Sequence, residues 1–196
     1  MLEGLNTAQS LDLSRFLRSC DIDRLDLRDP AWIAEIYRVF HGPMERYFRS
    51  EVRGLDRIPP GPALYVGNHN ALAMTPDSFL FGIAVYRERG LEDLPFGLGH
   101  EHVIRLPIVN AIVVPLGVVR ACHSHARALL ARGHKVLVHP GSEHDAMRPW
   151  RDRNRIRFEG RTGYIRLALE AGVPVSPVVA SGASLHFLPH VAVSCV

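Results

Sequence analysis

The chain has 196 residues, 47% of them hydrophobic and 22% charged, with a formal net charge of +3. This length supplies one domain with a sizeable core and is short for two, and the charged fraction is not that of a disordered chain. So mild a positive charge argues against a nucleic-acid partner.

Residues 1–28 are weakly patterned, lack the apolar core of a signal peptide, and read as a loosely attached arm. Asp29-Pro30 then supplies a helix start, with aspartate as N-cap and proline in the first turn. Trp32, Ile33, Ile36, Val39 and Phe40 follow at helical spacing. Gly42-Pro43 is expected to split this stretch into two short helices, the second carrying Met44, Tyr47 and Phe48. These helices, aromatic on one side and bearing Arg38, Arg46 and Arg49, suit packing on a core or lying on a bilayer. After the turn at Pro59-Pro60-Gly61-Pro62, Ala63 to Val66 reads as a buried strand running into Gly67-Asn68-His69.

Further along, Asp77 to Arg87 reads as a helix, Val109 to Val119 contains a second strand, and His123 to Arg132 is a helix closed by Gly133. Lys135 to His139 is a third strand, Thr162 to Ala171 a helix ended by Gly172, and Val173 to Ala180 a fourth strand. Alternating strands and helices imply an α/β domain: a mostly parallel central sheet flanked by helices. The organisation expected is an N-terminal arm with amphipathic helices over 1–50, then a catalytic-type domain over 51–196. That domain is expected to be incomplete at its C-terminal end, because Val191 to Val196 does not look like a domain terminus. An incomplete sheet would expose apolar surface and an unpaired edge.

Cys20, Cys122 and Cys195 are scattered, with no C-x-x-C, as reduced thiols in a cytosolic protein would be. The longest apolar stretch, Val103 to Val119, is interrupted by Arg105, Pro107, Asn110 and Pro115, too often for a membrane span. Between Arg148 and Arg166 arginines far outnumber the acids Asp152 and Glu159, which suits phosphate groups, an anionic membrane surface or simply solvent.

His69 lies at a strand end, and Asp77 follows near a helix start. Ligand crevices form at strand ends in such sheets. Histidine suits base work because it titrates near neutrality, and a carboxylate beside it fixes the tautomer and stabilises the imidazolium. By spacing alone such a pair is as well a structural one.

The surrounding residues resemble a family. Gly67-Asn68-His69 through Pro76-Asp77 looks like the N-H-…-D motif of the glycerolipid (lysophospholipid) acyltransferases, related to the bacterial 1-acylglycerol-3-phosphate acyltransferases. The gap is longer than the usual H-x4-D, like that of the diacylglycerol acyltransferase-type and mycobacterial branch. Val52-Arg53-Gly54-Leu55 also matches. Pro107-Ile108-Val109 to Arg120 resembles the second block, Val138-His139-Pro140-Gly141-Ser142-Glu143 stands where the family has F-P-E-G or P-G-G, and Ala171 to Val178 resembles A-G-V-P-[IV]-x-P-V.

The resemblance implies a glycerol-3-phosphate acyltransferase-like fold and transfer of a fatty acyl group to a lipid hydroxyl. The donor would be an acyl-CoA or acyl carrier protein thioester, as co-substrate, with no other cofactor and no metal. It makes His69 the general base, without a covalent intermediate, and Asp77 its partner. Arg120 would bind an acceptor phosphate, and Glu143, shifted from the family position, would position the acceptor. Oxyanion donors are expected near Asn68–Asn70 or at Gly141-Ser142. Arg148 and its neighbours are assigned to the carrier's phosphates from charge alone. The setting expected is cytoplasmic, peripheral on the inner face of an anionic membrane; the oligomeric state is not readable.

Three other readings stand beside this one. A catalytically impaired, lipid-binding fragment of the same family would keep the motifs without activity. A serine hydrolase would use Ser142, although G-x-S-x-G is missing. A zinc protein would use His100-x-His102 or His123-x-His125, but no four-ligand set is readable. His139 and His144 read as polar loop residues or neighbours of the site.

Overall fold

Seven strands form one sheet in the computed structural model, which describes residues 13–69, 75–152, 155–182 and 191–196. In chain order these are β1 (Glu51–Arg53), β2 (Leu64–Gly67), β3 (Phe96–Gly99), β4 (Val118–Arg120), β5 (Val136–Val138), β6 (Val175–Ser181) and β7 (Ala192–Cys195). The helices are α1 (Pro30–Phe48), α2 (Pro76–Arg89), α3 (Glu101–Ile104), α4 (Pro107–Leu116), α5 (His123–Ala131), α6 (Ser142–Ala146) and α7 (Gly163–Ala171). The sheet order is β1-β7-β6-β2-β5-β3-β4, and every pairing is parallel except β6 with β7.

Strand β2 lies inside the sheet, and all its residues are buried, as the unbroken apolar run requires of a strand covered on both faces. On one face Tyr65, Leu137, Val178 and Val193 meet Leu80, Phe81 and Val85 of α2. On the other, Leu64, Val66 and Val136 meet Leu129 and Leu130 of α5 and Leu167 of α7. Helix α1 adds Trp32, Ile33, Ile36 and Tyr37 to a further cluster with Ile83 and Leu116. The Asp29 carboxylate caps α1 by accepting from the Ala31 and Trp32 N–H groups.

Several expectations are corrected. Pro43 does not split α1, which runs on to Phe48. A proline deprives the carbonyl four residues back of its partner, and here that half of the helix lies at the surface, within reach of water. Most of 109–119 is helix α4, with only Val118 onward in a strand. Its β-branched run reads as strand, but Pro107 opens a helix, Gly117 ends it at φ +102°, and Asn110, Ala111 and Val114 bury one helical face. Strands β1, β3 and β7 carried no clear sequence signal. Val191 to Val196 supplies β7, whose Val193 and Cys195 are buried between β1 and β6.

From Leu13 on, the stretch read as a loose arm is tied to the domain. The Cys20 N–H donates to the Asn110 side-chain oxygen (2.6 Å), and the Asn110 amide donates back to the Cys20 carbonyl (3.0 Å). The Arg28 guanidinium donates to the Leu94 and Pro95 carbonyls and lies over the Phe96 ring.

Candidate active site

Because β2, β3, β4 and β5 are parallel, their carboxyl ends share one edge of the sheet. Three histidines follow three of these strands: His69 after β2, His100 after β3 and His139 after β5. All line a cavity of about 240 Å³. Its other walls are mostly apolar, formed by Leu98, Val103, Val109, Val113, Val118 and Val138. Such a crevice beyond the strand ends is where α/β sheets bind ligands.

A buried ion pair grips the backbone of His69 from both sides. Asp145 is fully buried and accepts from the His69 N–H at 2.6 Å. Arg148 donates to the His69 carbonyl at 2.6 Å and to the Asp145 carboxylate at 2.8 Å. The Arg157 N–H completes the set around Asp145 at 2.9 Å. Gly141 makes this packing possible, since a Cβ there would lie 2.3 Å from the Asp145 Cβ and 2.5 Å from the Arg157 carbonyl oxygen. Asp145 escaped the sequence reading; its one signal was the acid–base spacing of Asp145 and Arg148, three apart.

His139 packs beside His69, with ring centroids 5.0 Å apart. Burial, with the nearby His69, pushes His139 down to about 3, so it is neutral near pH 7. Its Nε2 lies 3.2 Å from the Ser78 hydroxyl. Gly67 leaves the room: a Cβ there would stand 2.9 Å from that same Nε2. Asp77 is buried at the start of α2, its carboxylate accepting from the Ser78 N–H at 2.9 Å. It lines a smaller pocket whose Ser78, Leu137 and His139 also border the main cavity.

The other expected binding residues are engaged elsewhere. The Asn68 side chain bonds both backbone groups of Ala180, at 2.9 and 2.8 Å, which stitches the end of β2 to β6. Arg148 is nearly buried and serves the His69 backbone, so it does not present a phosphate site. Arg120 pairs with Asp23 at 2.6 Å and with Glu101 at 3.7 Å. Glu143 is exposed and bridges to Arg161 at 3.1 Å; the Ser142 hydroxyl, its own backbone N–H and Arg161 together hold it down to about 2. Neither Arg120 nor Glu143 lines the cavity.

Ser142 does line the cavity, in a left-handed backbone conformation at φ +46°. Its N–H donates to the His139 carbonyl at 3.2 Å. The His69 and Ser142 N–H groups, both expected as oxyanion donors, thus already have protein acceptors. Asn70, the remaining residue of that turn, lies outside the described residues. The His100 and His102 rings lie 5.3 Å apart, and among the described residues no three His, Cys, Asp or Glu gather as a metal site.

Comparison with known proteins finds a family, relatives and a solved structure of similar fold. Residues 49–181 match the model of the acyltransferase family. An uncharacterised protein of Mycobacterium tuberculosis is 33% identical over 133 residues, covering 67% of this chain and 37% of the relative. The "DGAT1/2-independent enzyme synthesizing storage lipids" of Mus musculus is 23% identical over 65% of this chain and 37% of its own length. The chain therefore spans little more than a third of these relatives. Among solved structures, the 1-acyl-sn-glycerophosphate acyltransferase PlsC of Thermotoga maritima matches with a TM-score of 0.52 at 17% identity, over 83% of this chain and 70% of that one. That last likeness speaks for the fold. The family model, matched from β1 through β6 and across the strand-end histidine, makes this chain a member of the acyltransferase family.

Proposed function

We propose that the protein transfers a fatty acyl group from a thioester, of coenzyme A or acyl carrier protein, to a hydroxyl of a glycerolipid, with His69 as general base. The observation that carries this reading is the placement of His69. It follows the carboxyl end of β2 and lines a mostly apolar cavity, with its backbone held by Asp145 and Arg148.

In the proposed reaction His69 takes the proton of the acceptor hydroxyl while the oxygen attacks the thioester carbonyl. The tetrahedral intermediate collapses with cleavage of the C–S bond, and the leaving thiolate receives the proton from His69. An ester and a free thiol result, with no acyl-enzyme. Asp77 is proposed to orient the imidazole and to stabilise its charged form. His139 assists by staying uncharged, since a second imidazolium so close would oppose protonation of His69.

The activation needed for the step resides in the thioester, and the apolar walls suit an acyl chain. The name of the mouse relative, a synthesizer of storage lipids, points the same way.

The test is incubation with labelled acyl-CoA, or acyl-ACP, and a panel of lysophospholipids, monoacylglycerol and diacylglycerol. Wild-type protein is expected to form ester, and His69→Ala to lower the rate by about 10²- to 10⁴-fold. Equal rates in the two proteins would remove His69 from the chemistry.

Peripheral contact with an anionic membrane on the cytoplasmic side belongs to the same proposal. Its support is the surface half of α1, where Phe40 and Tyr47 are exposed among Arg38 and Arg46. Among the described residues no helix is long and apolar enough to cross a membrane. Sedimentation with anionic liposomes at rising salt tests it; no binding at any salt would end the claim.

A further inference from the structure

The longest apolar stretch of the sequence, Val103 to Val119, is only partly absorbed by the core. Ile104, Asn110, Ala111 and Val114 are buried. Between Ile104 and Asn110 the chain comes out to the surface: Leu106 is 52% exposed, Ile108 is 66% exposed, and Pro107 between them is exposed as well. Single exposed apolar side chains are ordinary, but here they stand consecutively at the turn that joins α3 to α4.

This tip is held out by a built base. The Asn110 side-chain amide donates to the Ile104 carbonyl at 3.0 Å and so ties the two flanks of the turn together. The Asn110 N–H donates to the Leu106 carbonyl at 2.7 Å, which starts α4. Leu106 is thus the N-cap of α4, where a helix that begins in water favours Ser, Thr, Asp or Asn, and no side-chain cap closes that end.

The tip is continuous with the cavity wall. Val103 and Ile104 on one flank, and Val109 and Val113 on the other, line the cavity that His69 also lines. The charge beside the tip is compensated, since Arg105 pairs with Glu101 at 2.8 Å.

Its size selects the partner. A stable protein–protein contact buries about 800 Å² on each side, far more than Leu106, Pro107 and Ile108 offer. Entry of a few apolar side chains into a bilayer needs no such area, and lipid headgroup oxygens accept from uncapped N–H groups at a helix start.

We infer that the α3–α4 turn is a lipid-inserting tip: Leu106, Pro107 and Ile108 enter a bilayer and bring the cavity wall behind them up to its acyl chains. The contact is apolar and separate from the arginine-flanked surface of α1. It rests on the membrane-associated acyltransferase reading above for its purpose, but it is read by binding alone, without turnover.

The full chain is sedimented with vesicles of phosphatidylcholine, which carry no net charge, at about 1 M salt, where ionic attraction is screened. Wild type is expected to bind, and Leu106→Ser/Ile108→Ser to partition about tenfold more weakly. Circular dichroism checks that this variant folds. Independently, Ile108→Trp is expected to add tryptophan fluorescence that brominated phosphatidylcholine quenches, beyond any quenching of wild type.

Equal partition of wild type and the serine variant, or no added quenching at Ile108→Trp, overturns the inference. No binding to phosphatidylcholine, with binding to anionic vesicles at low salt retained, overturns the tip and leaves the α1 contact standing. Self-association of wild type in sedimentation velocity that the serine variant abolishes overturns it in favour of a second copy. Tip-dependent vesicle binding without acyl transfer to any acceptor supports the tip and overturns the acyltransferase reading.

Discussion

The centre of the sheet and its β4 rim both hold arginine–carboxylate pairs, and they use them in opposite ways. At the centre, Arg148 and Asp145 are buried, and both grip the backbone of His69. At the rim, Arg120 and Asp23 are each more than a third exposed and neutralise one another beside the cavity. A buried pair is costly to break because the survivor is left charged in a poor solvent, whereas an exposed pair adds little to stability but shapes the field a ligand meets. The same side-chain chemistry thus fixes geometry in one place and sets electrostatics in the other.

The sharpest way to break the comparison is at the centre. Asp145→Ala would strand the Arg148 guanidinium and remove the acceptor of the His69 N–H. The expected loss is about 3–5 kcal/mol, read from chemical denaturation. Adding Arg148→Met should recover part of it, since the orphaned charge is gone. A single variant as stable as wild type would place this pair in the same energetic class as the rim.

His139 offers a second probe, through pH. Its folded-state value, about 3, lies below the ordinary histidine value of about 6.5. Between these the unfolded chain binds the extra proton, so the contribution of neutral His139 is present above about pH 6.5 and is lost as pH falls toward 3. His139→Gln should flatten that part of the stability–pH curve, measured by thermal unfolding across the window. An unchanged slope would show that His139 is not held neutral by burial.

The smallest effect is expected on the rim side. Arg161→Ala removes an exposed partner of Glu143 and should leave the unfolding midpoint within error of wild type. A clear loss there would mean that the surface pairs are coupled to the core.

What could be read from sequence follows the same divide. Strand β2, helices α2, α5 and α7, and strands β5 and β6 were legible because local signals agree with the fold: unbroken apolar runs, an opening Pro76, and the terminators Gly133 and Gly172. Strand β3 was not, because Phe96-Gly97-Leu98-Gly99 carries the glycines of a turn. Those glycines exist for packing, since a Cβ on Gly99 would meet Ile104 at 2.5 Å and Val118 at 2.9 Å. Helix α4 was hidden by its β-branched residues, which favour strand until tertiary burial decides otherwise.

The strand-end position of His69 was legible. The partners of the arginines were not, because Asp23 meets Arg120 from a distant part of the chain and only the fold brings them together. An arginine in a motif therefore reads as available in sequence when the folded chain has already occupied it.

The placement of β7 bears on the order in which the molecule assembles. Among the described residues strand β1 joins the sheet through β7 alone, Glu51 pairing with Ala192. During synthesis β1 is made about 140 residues before β7 and, until β7 follows, has no partner strand among the described residues. Contacts so far apart in sequence form slowly, because closing the intervening loop costs entropy before any pairing compensates. The β1–β7 corner is therefore the slowest pairing of the described sheet to form, and until it does β1 presents an unpaired edge.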